Sequence, residues 1–217
     1  MILIPVKNLS GAKQRLASLL DQTARTELAQ TMLLDVVESL ASWAGRPPVA
    51  LVTSDPFASD LARRFDFELI PDSANRSETD AIAMATRVCE LRGIDFTLVI
   101  PGDIPLIQAR ELEQIFQAAP KEGTVLAPAA DGRGTNAAFR RPAGLFPLRF
   151  GNDSFRPHLA AARATGKPVE VLPLPGIALD VDSPADLWRL AEAPGNTRSQ
   201  RMVRLFDLTD VPLAANE

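Results

Sequence analysis

The chain has 217 residues, 46% of them hydrophobic and 23% charged, with a formal net charge of −4. This length and hydrophobic content suit one α/β domain with a full core, and the ordinary charged fraction excludes wholesale disorder. The acidic balance argues against a nucleic-acid surface, which needs a basic stripe, but local cations could still hold a small anionic substrate.

The cysteine and histidine content restricts the chemistry further. Cys89 is the only cysteine, so an internal disulfide is excluded, and its helical context favours a buried structural thiol over a nucleophile. A single His158 cannot support a histidine-rich metal site. Met1 leads directly into a strand-like run unlike a signal peptide, and no apolar stretch approaches the roughly 20 residues of a membrane helix. We therefore expect a soluble cytoplasmic protein without a membrane or nucleic-acid partner.

The first predicted strand, Ile2 to Val6, leads into a loop rich in cations. Lys7, Lys13 and Arg15 lie within nine positions, and a Ser-Gly pair between them supplies a flexible turn with free backbone N–H groups. A polar loop between a strand and a helix start can cradle a phosphate chain. The spacing matches neither the Walker pattern nor the dinucleotide fingerprint. Scattered surface lysines are the alternative interpretation.

Strands and helices then alternate along the chain. Asp21 to Trp43 is predicted as an amphipathic helix, because apolar residues recur at helical spacing on one face. Further strands are predicted over 49–53 and 67–70, and helices over 57–65, 81–92 and 108–118. Such alternation implies right-handed crossovers and a mostly parallel sheet.

A carboxylate follows the most apolar of these strands. The run from Phe96 to Ile100 shows no alternation, which is typical of a strand buried on both faces, and it stops at Pro101-Gly102. Asp103 therefore comes just past the carboxyl end of a central strand, where ligands gather in open α/β sheets. An acid held there is suited to a metal that meets phosphate oxygens. A plain turn or helix-cap role is the alternative.

The polar loop over 72–80 follows another strand and is expected to face the same edge. Arg76 and Asp80 are the side chains of this loop that are best suited to contact a ligand. Each is predicted either to touch a ligand or to act as a solvated turn or helix-cap residue.

Two later loops offer hydrogen-bonding groups. After a predicted strand over 124–128, the loop over 131–139 has two glycines that let the backbone approach a ligand, with Thr135 and Asn136 beside them. Ser154 precedes a predicted helix over 156–165, where the N-terminal N–H groups favour a phosphate or carboxylate. A simple N-cap is the alternative. His158, on the first turn of that helix, is open to either a structural or a general acid/base role.

The last part of the chain carries a second pair of carboxylates. After a predicted strand over 168–173, Asp180 and Asp182 share one face of an extended segment by its two-residue period. One of them could complete a metal site with Asp103, as two acids from separate strand ends hold magnesium against a nucleotide's phosphates. The run over 203–208 is predicted to add an edge strand or to pack on a partner subunit, which leaves a homodimer open.

In order and spacing these segments resemble the guanylyltransferase family of coenzyme F420 biosynthesis, which is related to the molybdopterin guanylyltransferases. The resemblance runs from residue 2 to about 190. Its motifs are Pro5-Val6-Lys7, Ala12-Lys13-x-Arg15-Leu16, Pro101-Gly102-Asp103-Ile104-Pro105-Leu106, Gly134-Thr135-Asn136, Phe150-Gly151-x-x-Ser154-Phe155-x-x-His158 and Leu179-Asp180-Val181-Asp182-Ser183-Pro184-x-Asp186-Leu187.

The resemblance implies a Rossmann-like nucleotidyltransferase fold of the GT-A-like kind, with three α/β/α layers and a mostly parallel sheet. It suggests one domain over 1–195 and a C-terminal tail over 196–217. Members transfer GMP from GTP to the phosphate of a small phosphorylated acid and release pyrophosphate. The acceptor is 2-phospho-L-lactate in archaeal members, phosphoenolpyruvate in many bacterial ones and 3-phospho-D-glycerate in others.

Carried over by position, the resemblance assigns acceptor contacts to Thr135, Gly151 and Ser154. It assigns Mg²⁺ to Asp103 and to the later aspartate pair, in which we favour Asp182 over Asp180.

The nucleotide is then expected to meet the basic loop. Lys7, Lys13 and Arg15 would neutralise the triphosphate and the departing pyrophosphate, and Asp80, at the same edge, is added to the nucleotide contacts. Lys7, Lys13 and Asp103 would be the catalytic groups. The attacking acceptor phosphate is already ionised at neutral pH, so catalysis would rest on positioning and charge stabilisation without a general base.

One departure from the family pattern leaves the acceptor open. Many relatives carry a Leu-Asn-x-Ala sequence where this chain has Ser77-Glu78-Thr79-Asp80-Ala81. The polarity of this loop favours 3-phospho-D-glycerate slightly over phosphoenolpyruvate, with 2-phospho-L-lactate less favoured, since a pocket that binds the extra hydroxyl could discriminate strongly.

Two other functions remain as alternatives. A nucleotide-sugar glycosyltransferase would usually show Asp-x-Asp at the central strand end, whereas Pro105 occupies the second acidic position here. A non-catalytic GTP-binding regulatory protein would bind GTP without releasing pyrophosphate.

Overall fold

The computed structural model describes residues 1–151 and 153–206 of the chain. In that part, seven strands form one sheet: β1 (Ile2–Val6), β2 (Val49–Thr53), β3 (Glu68–Pro71), β4 (Thr97–Val99), β5 (Gly123–Pro128), β6 (Thr135–Arg141) and β7 (Val169–Val171). Their order across the sheet is β3-β2-β1-β4-β6-β5-β7.

Helices connect most of these strands, and two short 3-10 turns (Leu9–Gly11 and Gln14–Leu16) follow β1. The helices are α1 (Gln22–Ser42), α2 (Pro56–Arg64), α3 (Glu78–Leu91), α4 (Ala109–Ala118), α5 (Phe155–Ala164), α6 (Pro175–Ala178), α7 (Pro184–Glu192) and α8 (Arg198–Val203). None of the helices described is long and apolar enough to cross a membrane.

The direction of the strands decides which residues meet at one edge. β1 runs parallel to β2 and β4, β2 to β3, and β5 to β7, whereas β6 is antiparallel to both β4 and β5. The carboxyl ends of β1, β4 and β5 therefore share an edge with the amino end of β6. The prediction of a mostly parallel sheet is confirmed.

Alternate side chains of the strands enter two separate cores, one on each face of the sheet. Ile2 and Ile4 of β1 pack in a cluster with apolar residues of α1, α2 and α4. Met1 and Leu3 belong to the other cluster, together with residues of α3 and α5. Since β1 and β2 have every residue buried, they need apolar side chains on both faces, which explains their unbroken hydrophobic runs. The predicted three-layer α/β/α arrangement is confirmed.

A third apolar cluster joins α7 and α8 to α1. Leu28 and Met32 of α1 pack there with Leu179, Val181 and residues of α7 and α8, including Val203. Asp35 of α1 lies under the start of α8, where it accepts hydrogen bonds from the backbone N of Arg198 (3.0 Å) and of Ser199 (2.9 Å). α8 is thus fixed to the main body by apolar packing and by a buried cap.

Two local predictions differ from the structure. The stretch over 135–139, predicted as part of a loop, forms most of β6, which is stabilised by pairing with a neighbour on each side. Val203 ends α8, so the edge strand predicted over 203–208 does not begin there. The part of that run beyond residue 206 lies outside the described residues, and its packing on a partner subunit stays a prediction.

Candidate active site

Two adjoining cavities, with volumes of about 510 and 290 Å³, open among the described residues at the shared edge of the sheet. The larger cavity extends toward the start of β6 and the start of α5, and the smaller one extends along the end of β1 and the loop after it. The residues that line both are Glu78, Pro101, Asp103 and Asp182. Three carboxyl groups therefore stand at the boundary between the two spaces.

Lys13 brings the distant carboxylates of this boundary together. Its Nζ donates to Asp103 Oδ2 at 2.5 Å and to Asp182 Oδ1 at 2.9 Å, and its side chain is only 7% exposed. Arg15 Nη1 lies 3.9 Å from Asp182 Oδ2 on the other side. Two acids that are far apart in the sequence thus share one buried cation, as expected for groups that follow separate elements onto one sheet edge.

Local backbone structure fixes both acids. Asp103 follows β4 through Gly102, where an added Cβ would lie 3.0 Å from Leu33 Cδ1, so the turn passes close beneath α1. The carbonyl of Asp103 accepts from the backbone N of Val181 at 3.2 Å, which ties the two segments together. Because Val181 is buried, the two-residue alternation turns the neighbouring Asp182 toward the cavities.

The charges at this boundary influence one another strongly. Burial alone would lower the pKa of Lys13, but the charges and hydrogen bonds of Asp103 and Asp182 outweigh it and raise the pKa. Burial opposes ionisation of Asp182, yet the Lys13 charge holds the pKa of that carboxyl below its usual value. Burial, with the charges of both aspartates, raises the pKa of Glu78 to about 7.

Glu78 was not identified from the sequence, because an acid in the first turn of a helix is ordinarily explained as a dipole or capping residue. α3 begins at this residue, with Ser77 as its N-cap. The signal that could have revealed it was its position in the loop that departs from the family pattern.

The smaller cavity contains the basic loop. Lys7 and Lys13 line it together with Leu9 and Gly11. Lys7 Nζ is paired with the buried Asp72 at 2.6 Å, so its charge is already partly compensated.

Arg15 lines the larger cavity rather than the smaller one. Two of the three predicted cations therefore lie on one side of the carboxyl boundary and the third on the other.

All three predicted acceptor residues line the larger cavity. The backbone N of Thr135 donates to Ser154 Oγ at 3.1 Å, and the backbone N of Phe155 donates to the carbonyl of Arg133 at 2.8 Å. These bonds join the start of β6 to the start of α5. Gly151 lies in the same wall with a φ of 139°, a conformation that strongly favours glycine.

Two predicted ligand contacts lie elsewhere. In the described part of the chain, Arg76 and Asp80 line neither cavity. Asp80 accepts a hydrogen bond from Ser77 Oγ at 2.8 Å and its N–H donates back to that oxygen at 3.0 Å, so it completes the cap of α3. The structure thus matches the alternative prediction for Asp80, that of a helix-cap residue.

Asp180 lines the larger cavity but does not share the Lys13 ammonium. Its Oδ1 accepts from Asn136 Nδ2 at 3.0 Å, and the same amide lies 3.0 Å from the carbonyl of Ile177. Burial, partly offset by the Asn136 hydrogen bond, raises the pKa of Asp180. Asn136 thus holds the segment after α6 against β6, a role that the sequence alone did not reveal.

The acids at the boundary are potential ligands for Mg²⁺. No group of three or more His, Cys, Asp or Glu side chains among the residues described is arranged as a complete metal cage. Mg²⁺ in nucleotide enzymes is instead held by one or two carboxylates together with substrate phosphates and water. Asp103 and Asp182, which already converge on one cation, fit that mode of binding.

The chain is similar to known proteins over nearly its whole length. The family model described as "Guanylyl transferase CofC like" matches residues 1–213. A phosphoenolpyruvate guanylyltransferase of Sphaerobacter thermophilus is 36% identical over 189 residues, which are 87% of this chain and 90% of that relative. A 2-phospho-L-lactate guanylyltransferase of Methanothermobacter thermautotrophicus is 30% identical over 210 residues, which are 97% of this chain and 92% of that protein.

Solved structures show the same fold at lower sequence identity. A protein of Desulfovibrio desulfuricans described as a nucleotide-diphospho-sugar transferase superposes with a TM-score of 0.75 at 18% identity, covering 94% of this chain and 93% of that one. The predicted Rossmann-like nucleotidyltransferase fold is therefore confirmed. From the family match and the identity to curated relatives, the chain belongs to the CofC-like guanylyl transferases and is a guanylyltransferase.

Proposed function

We propose that this enzyme transfers GMP from GTP to the phosphate of phosphoenolpyruvate, releasing pyrophosphate, as a step of coenzyme F420 biosynthesis. The observation that carries the proposal is the boundary of acids between two adjoining cavities, where Lys13 joins Asp103 to Asp182. A nucleotide in the smaller cavity and an acceptor in the larger one would meet at this boundary, where the guanylyl group would pass from the α-phosphate of GTP to the acceptor phosphate and pyrophosphate would leave.

The choice of acceptor rests on relatives and on the loop before α3. Curated relatives of 35–36% identity are named phosphoenolpyruvate guanylyltransferases. The slight preference for 3-phospho-D-glycerate depended on the polarity of the 77–80 loop, but Ser77 and Asp80 bond to each other as a helix cap. We therefore rank phosphoenolpyruvate first, 3-phospho-D-glycerate second and 2-phospho-L-lactate third.

The residues of the smaller cavity would bind and orient the nucleotide. Lys7 and Lys13 supply positive charge to the triphosphate, and Arg15 supplies it from the larger cavity to the phosphate under attack.

The residues of the larger cavity would hold the acceptor. The Thr135 hydroxyl and the N–H groups at Gly151 and Ser154 are suited to its phosphate or carboxylate. The acceptor phosphate oxygen is ionised at neutral pH and attacks the α-phosphorus directly, so the enzyme's contribution is alignment and charge stabilisation.

Asp103 and Asp182 would hold Mg²⁺, with Asp180 close by. When bound, the ion would stabilise negative charge on the phosphate oxygens in the transition state.

The test is pyrophosphate release from GTP and Mg²⁺ with each of the three phosphorylated acids, with GTP alone as the blank. We expect turnover with phosphoenolpyruvate above the other two, and a loss of about a hundredfold or more in Asp103→Asn with an unchanged melting temperature. Near-normal turnover in Asp103→Asn would contradict the role of this carboxylate. GTP binding without pyrophosphate release would favour a regulatory protein, and transfer from a nucleotide sugar would favour a glycosyltransferase.

A further inference from the structure

The only histidine of the chain is buried behind the larger cavity, with both ring nitrogens engaged. His158 is 1% exposed. Its Nε2 lies 2.8 Å from the backbone N of Arg149, and its Nδ1 lies 2.9 Å from Thr135 Oγ1. The residue therefore connects the loop before α5 with the start of β6.

These two contacts determine which nitrogen carries the proton. A backbone N–H can only donate, so the Arg149 amide requires Nε2 to be the bare, accepting nitrogen. In a neutral imidazole the proton then resides on Nδ1, which donates to Thr135 Oγ1. Since the oxygen of Thr135 accepts from the ring, its own hydroxyl hydrogen is directed elsewhere, and Thr135 lines the larger cavity.

The ring is neutral under ordinary conditions. Burial, reinforced by the positive charge of Arg140, lowers the pKa of His158 to about 4. The Arg149 backbone bond opposes this shift only in part. At neutral pH the imidazole therefore has one donor and one acceptor, as both contacts require.

His158 also contacts the rest of the acceptor wall. Its backbone N donates to the carbonyl of Ser154 at 3.0 Å, within the first turn of α5. Its ring packs edge-on against Phe150, next to Gly151, with 5.3 Å between ring centroids. Of the three residues proposed to bind the acceptor, Thr135 is thus bonded by the His158 ring and Ser154 by its backbone N–H, while Gly151 follows the Phe150 on which the ring packs.

We propose that His158 is a positioning residue that fixes the Thr135 hydroxyl as a hydrogen-bond donor toward the anionic acceptor. It does not itself touch the reacting atoms. The inference rests on the proposed function, because it assumes that the larger cavity holds a phosphorylated acid. It also rules out His158 as a general acid or base, since both ring nitrogens are committed to the protein.

The tautomer can be measured directly, independently of any activity. Because the chain has one histidine, long-range ¹H–¹⁵N spectra of the untagged, ¹⁵N-labelled protein at neutral pH contain a single imidazole. We expect the pattern of a neutral ring protonated on Nδ1. A ring protonated on Nε2, or an imidazolium, would overturn the inference.

Two substitutions separate the two contacts of the ring. In His158→Asn the amide occupies about the position of Nδ1 and can still donate to Thr135. In His158→Gln it occupies about the position of Nε2 and can still accept from Arg149, but the donor to Thr135 is lost. Both variants remove the ring packing, so each is a control for the other.

We expect His158→Gln to raise the KM for phosphoenolpyruvate by about tenfold, because a hydrogen bond to a charged group is weakened, and His158→Asn to change it by less than about threefold. The KM for GTP should stay constant in both. In a Thr135→Val background, His158→Gln should have no further effect on the acceptor KM, since the hydroxyl that it orients is absent.

The outcomes separate this inference from the function on which it rests. Equal acceptor KM values in the two variants, or additive effects with Thr135→Val, would leave His158 a structural residue only and overturn the inference while wild-type turnover stands. If the wild type releases no pyrophosphate with any of the three acids, the proposed function fails, and the inference fails with it.

Discussion

Lys13 combines an unusual backbone conformation with an unusual side-chain environment. It has a φ of 55°, in the left-handed region that non-glycine residues adopt at a cost of about 1–3 kcal/mol. The residue lies between the two 3-10 turns, and its buried ammonium bonds to Asp103 and Asp182. Two charge-assisted hydrogen bonds offset that cost and hold the loop after β1 against the carboxylates.

Removing this ammonium should impair catalysis more than folding. We expect Lys13→Met to reduce kcat/KM for pyrophosphate release by about a hundredfold or more, because a charge that stabilises the transferring phosphate is lost and two acids are left facing each other. Lys121→Met is the matched control, since Lys121 is exposed and, in the part of the chain described, lines neither cavity. Equal activity in the two variants would contradict the role of Lys13.

Among the elements, the short helix α6 positions the second acidic segment. Glu111 of α4 accepts from the backbone N of Gly176 at 2.6 Å, and its other oxygen accepts from the backbone N of Gln108 at 3.1 Å. One carboxylate thus caps its own helix and fixes the start of α6. An added Cβ at Gly176 would clash with Glu111 Oε2 and lie 2.5 Å from the carbonyl of Leu106. The position requires glycine because of this close approach.

We expect Gly176→Ala to lower the free energy of unfolding by about 1–3 kcal/mol, because the tight contact must be relieved by moving α6. Since the carboxylates of Asp180 and Asp182 follow α6, activity should fall as well. Urea denaturation measures the stability, and Gly45→Ala is the control, as its added Cβ would be 3.4 Å from Trp43 Nε1. A stability loss no greater than that of the control would refute this packing argument.

The carboxylate of Asp35 attaches α8 to α1. Asp35 is buried and accepts from Ser199 Oγ at 2.6 Å as well as from the two backbone N–H groups at the start of the helix. Asp35→Ala should lower the free energy of unfolding by about 2–3 kcal/mol, because these donors lose their partner away from water.

Glu38 provides the comparison for Asp35, because its pairing with Arg198 is only half-buried. Glu38→Ala should cost less than about 1 kcal/mol, as is usual for surface ion pairs. If the two variants unfolded at the same urea concentration, the buried cap would not be the contact that attaches α8.

For the whole molecule, the buried imidazole links stability to pH. The pKa of His158 is lowered to about 4 in the folded chain, compared with the ordinary value of about 6.5 in the unfolded chain. Between these two pH values the unfolded chain therefore binds one more proton than the folded chain. Stability from this group is present above about pH 6.5 and is lost as the pH falls toward 4.

We expect His158→Gln to remove this dependence. As the pH is lowered from roughly 7.5 to 5, the free energy of unfolding of the wild type should fall by about 2 kcal/mol relative to that of the variant. Urea unfolding at each pH measures both values. Glu78 acts in the opposite sense, because its raised pKa favours the folded chain at low pH and that benefit is lost as pH rises through about 7. The same pair, with and without His158→Gln, should therefore also be compared in a Glu78→Gln background. If the difference in the free energy of unfolding between the two did not change with pH, the ring of His158 would not be buried in its neutral form.

Much of the layered fold could be predicted because each parallel strand carries its own signal. β1 is apolar along its whole length and β2 as far as Val52, and Asp103 comes soon after a buried strand whose end is fixed by Pro101-Gly102. Parallel strands place their carboxyl ends on one edge, so the position of Asp103 could be anticipated from topology, whereas Asp182 follows α6 rather than a strand.

The parts that could not be predicted depend on contacts between distant segments. β6 begins with Thr135 and Asn136 after two glycines, which locally indicate a loop, and only its pairing with β4 and β5 makes it a strand. The contact of Lys13 with Asp103 and Asp182 spans 90 and 169 positions, a relation that no local pattern encodes. Glu78 likewise acquires its raised pKa from burial and charges supplied by other elements.

The reversed direction of β6 has a consequence for how acceptor choice could be altered. Since β5 and β6 form a hairpin, the turn over 129–134 projects over the larger cavity, while the basic loop after β1 belongs to the other half of the sheet. Exchanging that turn between relatives would change the wall that we propose to meet the acid and leave unaltered the wall that we propose to bind GTP. The turn of this hairpin could therefore be exchanged to adapt one set of catalytic residues to different phosphorylated acids.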